Sequence, residues 1–355
     1  MNKYQYPVEV HSHTYHSDGQ FSVSELVDAA VDFGYKGLIL TDHNSSAGYL
    51  EMAEVEAVKS GALVTLHGME WTTYFGHMLA HDADYDVDWR EATVDTIDDY
   101  MAEVRAANGL VGIAHPFDIG SPICTGCHWD FRVKDFSLVN YIEIWNSNSP
   151  QAKLESVLAY ELWLGKLLEG YEISCSAGRD WHRPDGPDAN MGVTYVELAA
   201  GKALTPATFK EALRSGSYYI TLGPRVQFSV GDWHMGDRVG AGKLAEGGAG
   251  EGGSATAEAG ADGGAAAEVR VAVTPTELRD LKQFPVTHAV VSVWNNNTLL
   301  HQSEPVAELG GDGFEVVFAL DTAAVKPGFV RFEVRGDFRG VENTLVVVGN
   351  PIYVK

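Results

Sequence analysis

The sequence predicts an α/β fold followed by a smaller all-β domain, and three observations predict it. Strand-like apolar runs alternate with amphipathic helical segments from residue 6 to about 222. Many of those runs end in His, Asp or Glu: His11, His13, Asp42, His43, Glu70, His115, Asp180 and His182. After residue 222 the helical period vanishes and short strands separated by turns take over. Alternating strands and helices with apolar strands indicate a parallel sheet covered by helices. A β/α barrel gathers its C-terminal strand ends on one face, whereas an open doubly wound sheet collects ligands at one switch point. So many polar strand ends favour the barrel.

In chain order, VEVHSH ends the first strand, and SVSELVDAAVDFG is a helix with Ser22 and Glu25 in capping-box spacing and Gly34 at its end. GLILTDHN and ALVTLHGME are strands, with HMLAHDA pairing beside the latter. TVDTIDDYMAEVRAANG is an amphipathic helix before the strand LVGIAHPF. YIEIWNS leads to the helix AKLESVLAYELWLGKLLEG, and YEISCSAGRD is the next strand. VTYVEL, TPATFKEALRSG and YYITLG close this half as strand, helix and strand. The expected domains are 1–222 and 223–355. PRVQFSV, EVRVAVTP, THAVVSVWNN, FEVVFALD, FVRFEVRG and TLVVVGNPIYV suit a β-sandwich. A Gly/Ala/Glu-rich stretch near 240–268 has too little apolar surface to offset its ordering entropy, so it is expected to be a mobile insertion without chemistry.

The formal net charge of −24, with 49 acidic and 25 basic residues, disfavours nucleic acid polymers and anionic membranes as partners. No stretch approaches the ~20 apolar residues of a membrane span. The opening MNKYQYPVEVHSH lacks the apolar segment of a signal peptide, and three cysteines make no disulfide framework. The expectation is a reduced, cytoplasmic protein; its oligomeric state is not encoded in any motif. CTGCH, residues 124–128, matches a covalent haem pattern, but haem attachment needs export. A Cys/His zinc site there lacks an evident fourth ligand. The stretch is read as a loop over the barrel mouth, where Cys127, His128 or Trp129 could shape the pocket, with no role assigned to any residue of the loop, Cys124 included.

His11 and His13, two apart on a strand end, point to one side and suit one ion. Asp18 follows in the loop, His43 and Glu70 end the next two strands, and His77 lies just beyond. His115 ends another strand, and Asp180 and His182 are again two apart. A lone strand-end histidine is more often a partly buried, hydrogen-bonded residue. Nine such residues at successive strand ends argue for a multinuclear metal site.

HSHTYHSDG, LTDHN, HGMEWTTYFGHMLA, IAHPF and AGRDWHRP together resemble the motifs of the PHP (polymerase and histidinol phosphatase) superfamily of metal-dependent phosphoesterases. The tail, ALRSGSYYITLGPRVQFSVGDWHMGD and the closing EVRG and GNPIYV, resembles the β-sandwich of its CehA/McbA-like branch. The resemblance implies a distorted seven-stranded β/α barrel with two or three divalent ions, Zn, Mn or Fe. It implies a first ion on His11, His13, Glu70 and Asp180, and a second on Glu70, His77 and His115, with Glu70 bridging. A third ion would sit on Asp18, His43 and His182. His81 is an alternative to His77. Where the family has a small residue before the last aspartate, this chain has Arg179, expected to grip substrate phosphate. Arg183 is a weaker candidate for that role. His16, Asn146 and Asp42 are expected mainly as solvated loop positions, with support of the ligands or contact with substrate as the alternative. The implied activity is hydrolysis of a small phosphate ester by a metal-activated hydroxide. The alternative is a carboxylic or carbamic ester hydrolase on the same centre. No organic cofactor is expected.

Overall fold

A computed structural model describes residues 3–120, 126–184, 186, 189–240, 243–244 and 266–355. The chain forms two compact units. One comprises Gln5–Leu198 with Lys202–Arg214; the other is mainly Ser215–Lys355.

The first unit holds strands β1 (Tyr4–Glu9), β2 (Gly37–Ile39), β3 (Val64–Leu66), β4 (Gly68–Thr73), β5 (Gly76–His81), β6 (Leu110–Ile113), β7 (Tyr141–Asn146), β8 (Ser174–Gly178) and β9 (Val193–Leu198). Its helices are α1 (Val23–Phe33), α2 (Ala47–Met52), α3 (Glu56–Lys59), α4 (Ile97–Ala106), α5 (Leu154–Leu168) and α6 (Pro206–Ser215). Helix α1 begins at a reciprocal Ser22–Glu25 capping box and stops at Gly34, whose φ of 110° suits a residue without Cβ. The strands fall into the orders β9-β1-β2-β3 and β4-β5-β6-β7-β8. Single parallel bridges, Ser12 to Trp181 and His43 to Glu70, join the two sets.

Two features differ from the expected all-parallel sheet. ALVTLHGME divides at His67 into β3 and β4, which belong to different sheets. Strands β4 and β5 pair antiparallel because the short turn between Thr73 and Gly76 cannot make the long crossover that parallel strands require. Strand β6 is antiparallel to β5, and the parallel order resumes from β6 through β8.

The second unit contains β10 (Tyr218–Thr221), β11 (Arg225–Val230), β12 (Arg238–Val239), β13 (Ala266–Thr274), β14 (Val286–Asn295), β15 (Thr298–Gln302), β16 (Val306–Glu308), β17 (Phe314–Asp321), β18 (Gly328–Phe338), β19 (Val341–Gly349) and β20 (Ile352–Val354). A three-stranded sheet runs β11-β13-β17, and a larger one contains β12-β20-β18-β19-β10 with β14 paired to β18. The rings of Phe228 on β11 and Phe332 on β18 lie 4.8 Å apart, so the two sheets meet across a buried layer. Ala266–Glu268, expected as part of the insertion, pair with Ala319–Asp321 in β13. Most of the remaining insertion lies outside the described residues. Among the described residues no helix is long and apolar enough to cross a membrane.

Candidate metal centre

The centre is built where β1 runs out beside β8. His13 N donates to Trp181 O at 3.0 Å and Trp181 N donates to His11 O at 3.2 Å, so the extended backbone continues past Glu9. His11 and His13 therefore face one side and Ser12 the other, where its Oγ donates to Ile39 O at 2.9 Å. Glu70, fully buried on β4, meets both rings: its Oε2 is 3.2 Å from His11 Nε2 and 3.3 Å from His13 Nε2. Asp180 Oδ1 lies 3.0 Å from His13 Nε2 and 3.4 Å from His11 Nε2.

The other oxygen of Glu70 serves a different set. Its Oε1 is 2.9 Å from His77 Nδ1 and 3.0 Å from His115 Nε2, while His43 Nδ1 lies 3.0 Å from Oε2. Asp18 Oδ1 lies 3.1 Å from His182 Nε2 and 3.5 Å from His43 Nε2. Ligand atoms thus come within 4.8 Å of one another in the groups His11–His13–Glu70–Asp180, His43–Glu70–His77, and His13–Asp18–His43–His182. All nine residues singled out by strand-end spacing meet in this region. His81 does not join them; its ring bonds the Tyr141 hydroxyl at 2.9 Å.

The donor set fits divalent cations. His11 Nε2, His13 Nε2, Glu70 Oε2 and Asp180 Oδ1 are buried without a hydrogen-bond partner among the described residues. Four converging orphaned ligand atoms are rare in a native interior unless an ion satisfies them.

Electrostatics point the same way. Burial opposes the charge of Glu70 and Asp180, yet the surrounding histidines, His11 foremost, hold both carboxyls well below their usual range. Burial pushes His13 down to about 4. Burial also opposes protonation of His115 and His182, but Glu70 and Asp18 respectively prevail and lift each from 6.5 to about 9. A raised folded-state value contributes stability that is complete below 6.5 and lost as pH rises through about 9. Metal-free protein is therefore expected to lose thermal stability across that window. Metal-loaded protein, with ions in place of those protons, is not. Parallel melting curves for the two forms would contradict this.

Three buried carboxylates outside the nine support the centre. Glu143 on β7 accepts from His11 Nδ1 at 3.0 Å and from Asn146 Nδ2 at 2.9 Å. Asp42, expected as solvated, is 1% exposed and accepts from Thr14 N, Thr14 Oγ1 and Ser17 Oγ at 2.7, 2.8 and 2.7 Å. Asn146 is likewise buried rather than solvated. Glu9 Oε1 accepts from His11 N at 2.9 Å and Arg179 N at 3.0 Å, tying the ends of β1 and β8 together. Burial pushes the Glu9 carboxyl up to about 7, with Arg179 pulling the other way. A carboxylate inside an apolar run, as in VEV or YIEIW, was the available sequence signal. His16 sits in the outer loop, 3.0 Å from Glu51.

Arg179, expected to grip substrate phosphate, is buried. Its guanidinium carbon lies 3.5 Å from the centroid of the Trp181 ring and 5.0 Å from that of Phe33, and all three guanidinium nitrogens are shielded from solvent. The guanidinium is thus packed against aromatic rings, although Arg179 also borders the cavity beside Asp180 and His182. Alternation explains it: Gly178 abuts His11 and Glu143, so Arg179 turns away.

A cavity of about 690 Å³ opens beside Asp180 and His182, lined also by Gln20, Ser147, Asn148, Lys153, Arg183 and Met191. Lys153 and Arg183 are the cations there whose side chains are not buried. None of Cys127, His128 and Trp129 lines it. His128 is exposed, and Cys124 lies outside the described residues. Cys127 is buried and disulfide-bonded, at odds with the expectation of reduced thiols throughout, whereas Cys175 is a free buried thiol.

Residues 9–115 match the PHP domain family. No curated protein matches the chain in sequence. A crystal structure of a two-domain protein from Bacteroides vulgatus ATCC 8482, containing a predicted PHP-like metal-dependent phosphoesterase, is 16% identical with a TM-score of 0.52. That match covers 99% of this chain and 96% of the other, and it shows likeness of fold. An amidohydrolase from Chromobacterium violaceum, with bound SO4 and no metal, is 16% identical. It covers 58% of this chain and 96% of its own at a TM-score of 0.36, too low to carry an argument. The matched segment contains every histidine and carboxylate of the centre except Glu143, Asp180 and His182, so the likeness to the PHP domain lies in the part of the chain that supplies most of the ligand atoms.

Proposed function

We propose that this chain is a hydrolase of small phosphate esters working with two or three divalent ions, Zn, Mn or Fe. The observation that carries this reading is Glu70, whose two oxygens face different histidine sets while converging ligand atoms stay unpartnered. His11, His13, Glu70 and Asp180 would hold the first ion. Glu70, His77 and His115 would hold the second, and Asp18, His43 and His182 the third. His13 and His43 each border more than one group and could be shared. Bound ions supply Lewis acidity and make a nucleophile from water at neutral pH.

The chain's own residues supply the rest. Glu70 holds the two histidine sets at a fixed spacing. Asp42 orders the loop that carries Asp18. Lys153 and Arg183, in a cavity beside Asp180 and His182, favour an anionic substrate on a strongly acidic chain. The proposed architecture is a distorted seven-stranded barrel closed by the Ser12–Trp181 and His43–Glu70 bridges, with a β-sandwich after it. The CehA/McbA-like assignment and a cytoplasmic location belong to the same reading.

Turnover of an aryl phosphate and of an aryl acetate, with and without chelator, tests it. The phosphate should turn over, stop on chelation and recover with Mn²⁺ or Zn²⁺. Acetate or carbamate turnover without phosphate turnover would assign the centre to carboxylic or carbamic esters instead.

A further inference from the structure

Glu143 is fully buried at the middle of β7, and both its oxygens are engaged by chain donors. Its Oε2 accepts from Asn146 Nδ2 at 2.9 Å and from the backbone N of His115 at 3.2 Å, which fixes the carboxylate plane. His11 Nδ1 lies 3.0 Å from its Oε1 and 3.2 Å from its Oε2. A carboxylate there is acceptor-only, so Nδ1 of His11 must carry a proton, and in the neutral ring that leaves the lone pair on Nε2. That Nε2 is the unpartnered atom directed at Glu70 Oε2 and Asp180 Oδ1. Gly178 makes the arrangement possible: a Cβ there would stand 2.1 Å from Glu143 Oε1 and 2.6 Å from His11 Cβ. The contrast with Glu70 is informative, because Glu70 Oε2 has no hydrogen-bond partner among the described residues whereas Glu143 is occupied by chain donors.

We propose that Glu143 is a positioning residue that locks His11 in the Nδ1–H tautomer and aims its Nε2 at the first ion position. The inference rests on the metal reading above. A neighbouring carboxylate fixes both the tautomer and the ring orientation of a ligating histidine and raises its basicity. His11, His115 and Glu143 also lie close enough to hold an ion themselves, so the test must separate a positioning carboxylate from a ligand.

The full chain is stripped, reloaded with Zn²⁺ and titrated against a chromophoric chelator, with ions counted by elemental analysis. Glu143→Gln should bind as many ions at saturation as the wild type, with affinity at one position about 10–100-fold lower. On a His11→Ala background the same change should shift affinity by about twofold or less, because the histidine through which it acts is gone. Loss of one equivalent at saturation would make Glu143 a ligand. Unchanged affinity, or the full loss persisting without His11, would also overturn the inference. Nitrogen-15 NMR of histidine-labelled wild type gives a readout independent of how the variants fold: His11 should show a protonated Nδ1, and the opposite tautomer overturns the proposal. Wild type that takes up no zinc would defeat the metal reading and this inference together. Wild type that loads zinc, beside an indistinguishable Glu143→Gln, would defeat the inference alone.

Discussion

Replacing Glu70 by Gln should reduce aryl phosphate turnover by about 10³-fold, as expected when several kcal/mol of metal-derived stabilisation is lost at roughly 1.4 kcal/mol per factor of ten. It should also lower bound metal by at least one equivalent. Among the described residues, no other side chain touches both histidine sets through separate oxygens. Gln keeps the shape but puts an amide N–H₂, a donor that cannot ligate a cation, where one carboxylate oxygen stood. Full metal occupancy with turnover within about tenfold of wild type would show that Glu70 is not shared between ions.

Asp42→Ala should lower stability by about 3 kcal/mol, since it strands a buried backbone N–H and two hydroxyls that now donate to the carboxylate. In a unit of this size that corresponds to a melting shift of about 10 °C. The same change should weaken metal binding at the Asp18 group. Thr14, the residue Asp42 holds, accepts from the backbone of Ser17 and Gly19 on either side of Asp18. Asp42→Asn, which retains one acceptor, should fall between wild type and alanine. Thermal melts of the metal-free proteins check the order.

The period-2 placement of His11 and His13 and the paired Asp180 and His182 were legible because strand geometry is local, whereas Glu70, expected at a strand end, lies inside β4. What supports them was not, because the partners come from distant segments. Glu143 reaches His11 across 132 positions and Glu9 reaches Arg179 N across 170. No spacing rule links residues so far apart. Arg179 illustrates a readable signal passed over: Gly178 faces the cluster, so by strand alternation its neighbour faces away. The split of ALVTLHGME at His67 depends on close packing of Gly68, where a Cβ would meet Ile39 and Leu40 at 2.7 and 2.8 Å. Ala266 and Ala267 read as low-complexity sequence, yet they extend β13 because β17 offers partners in register.

The most direct test of the central claim is elemental analysis of the purified full chain after metal-replete preparation and removal of free ions. The account predicts two or three equivalents of divalent metal per chain, held by residues on both sides of Glu70. Protein that folds normally and retains no metal would contradict it.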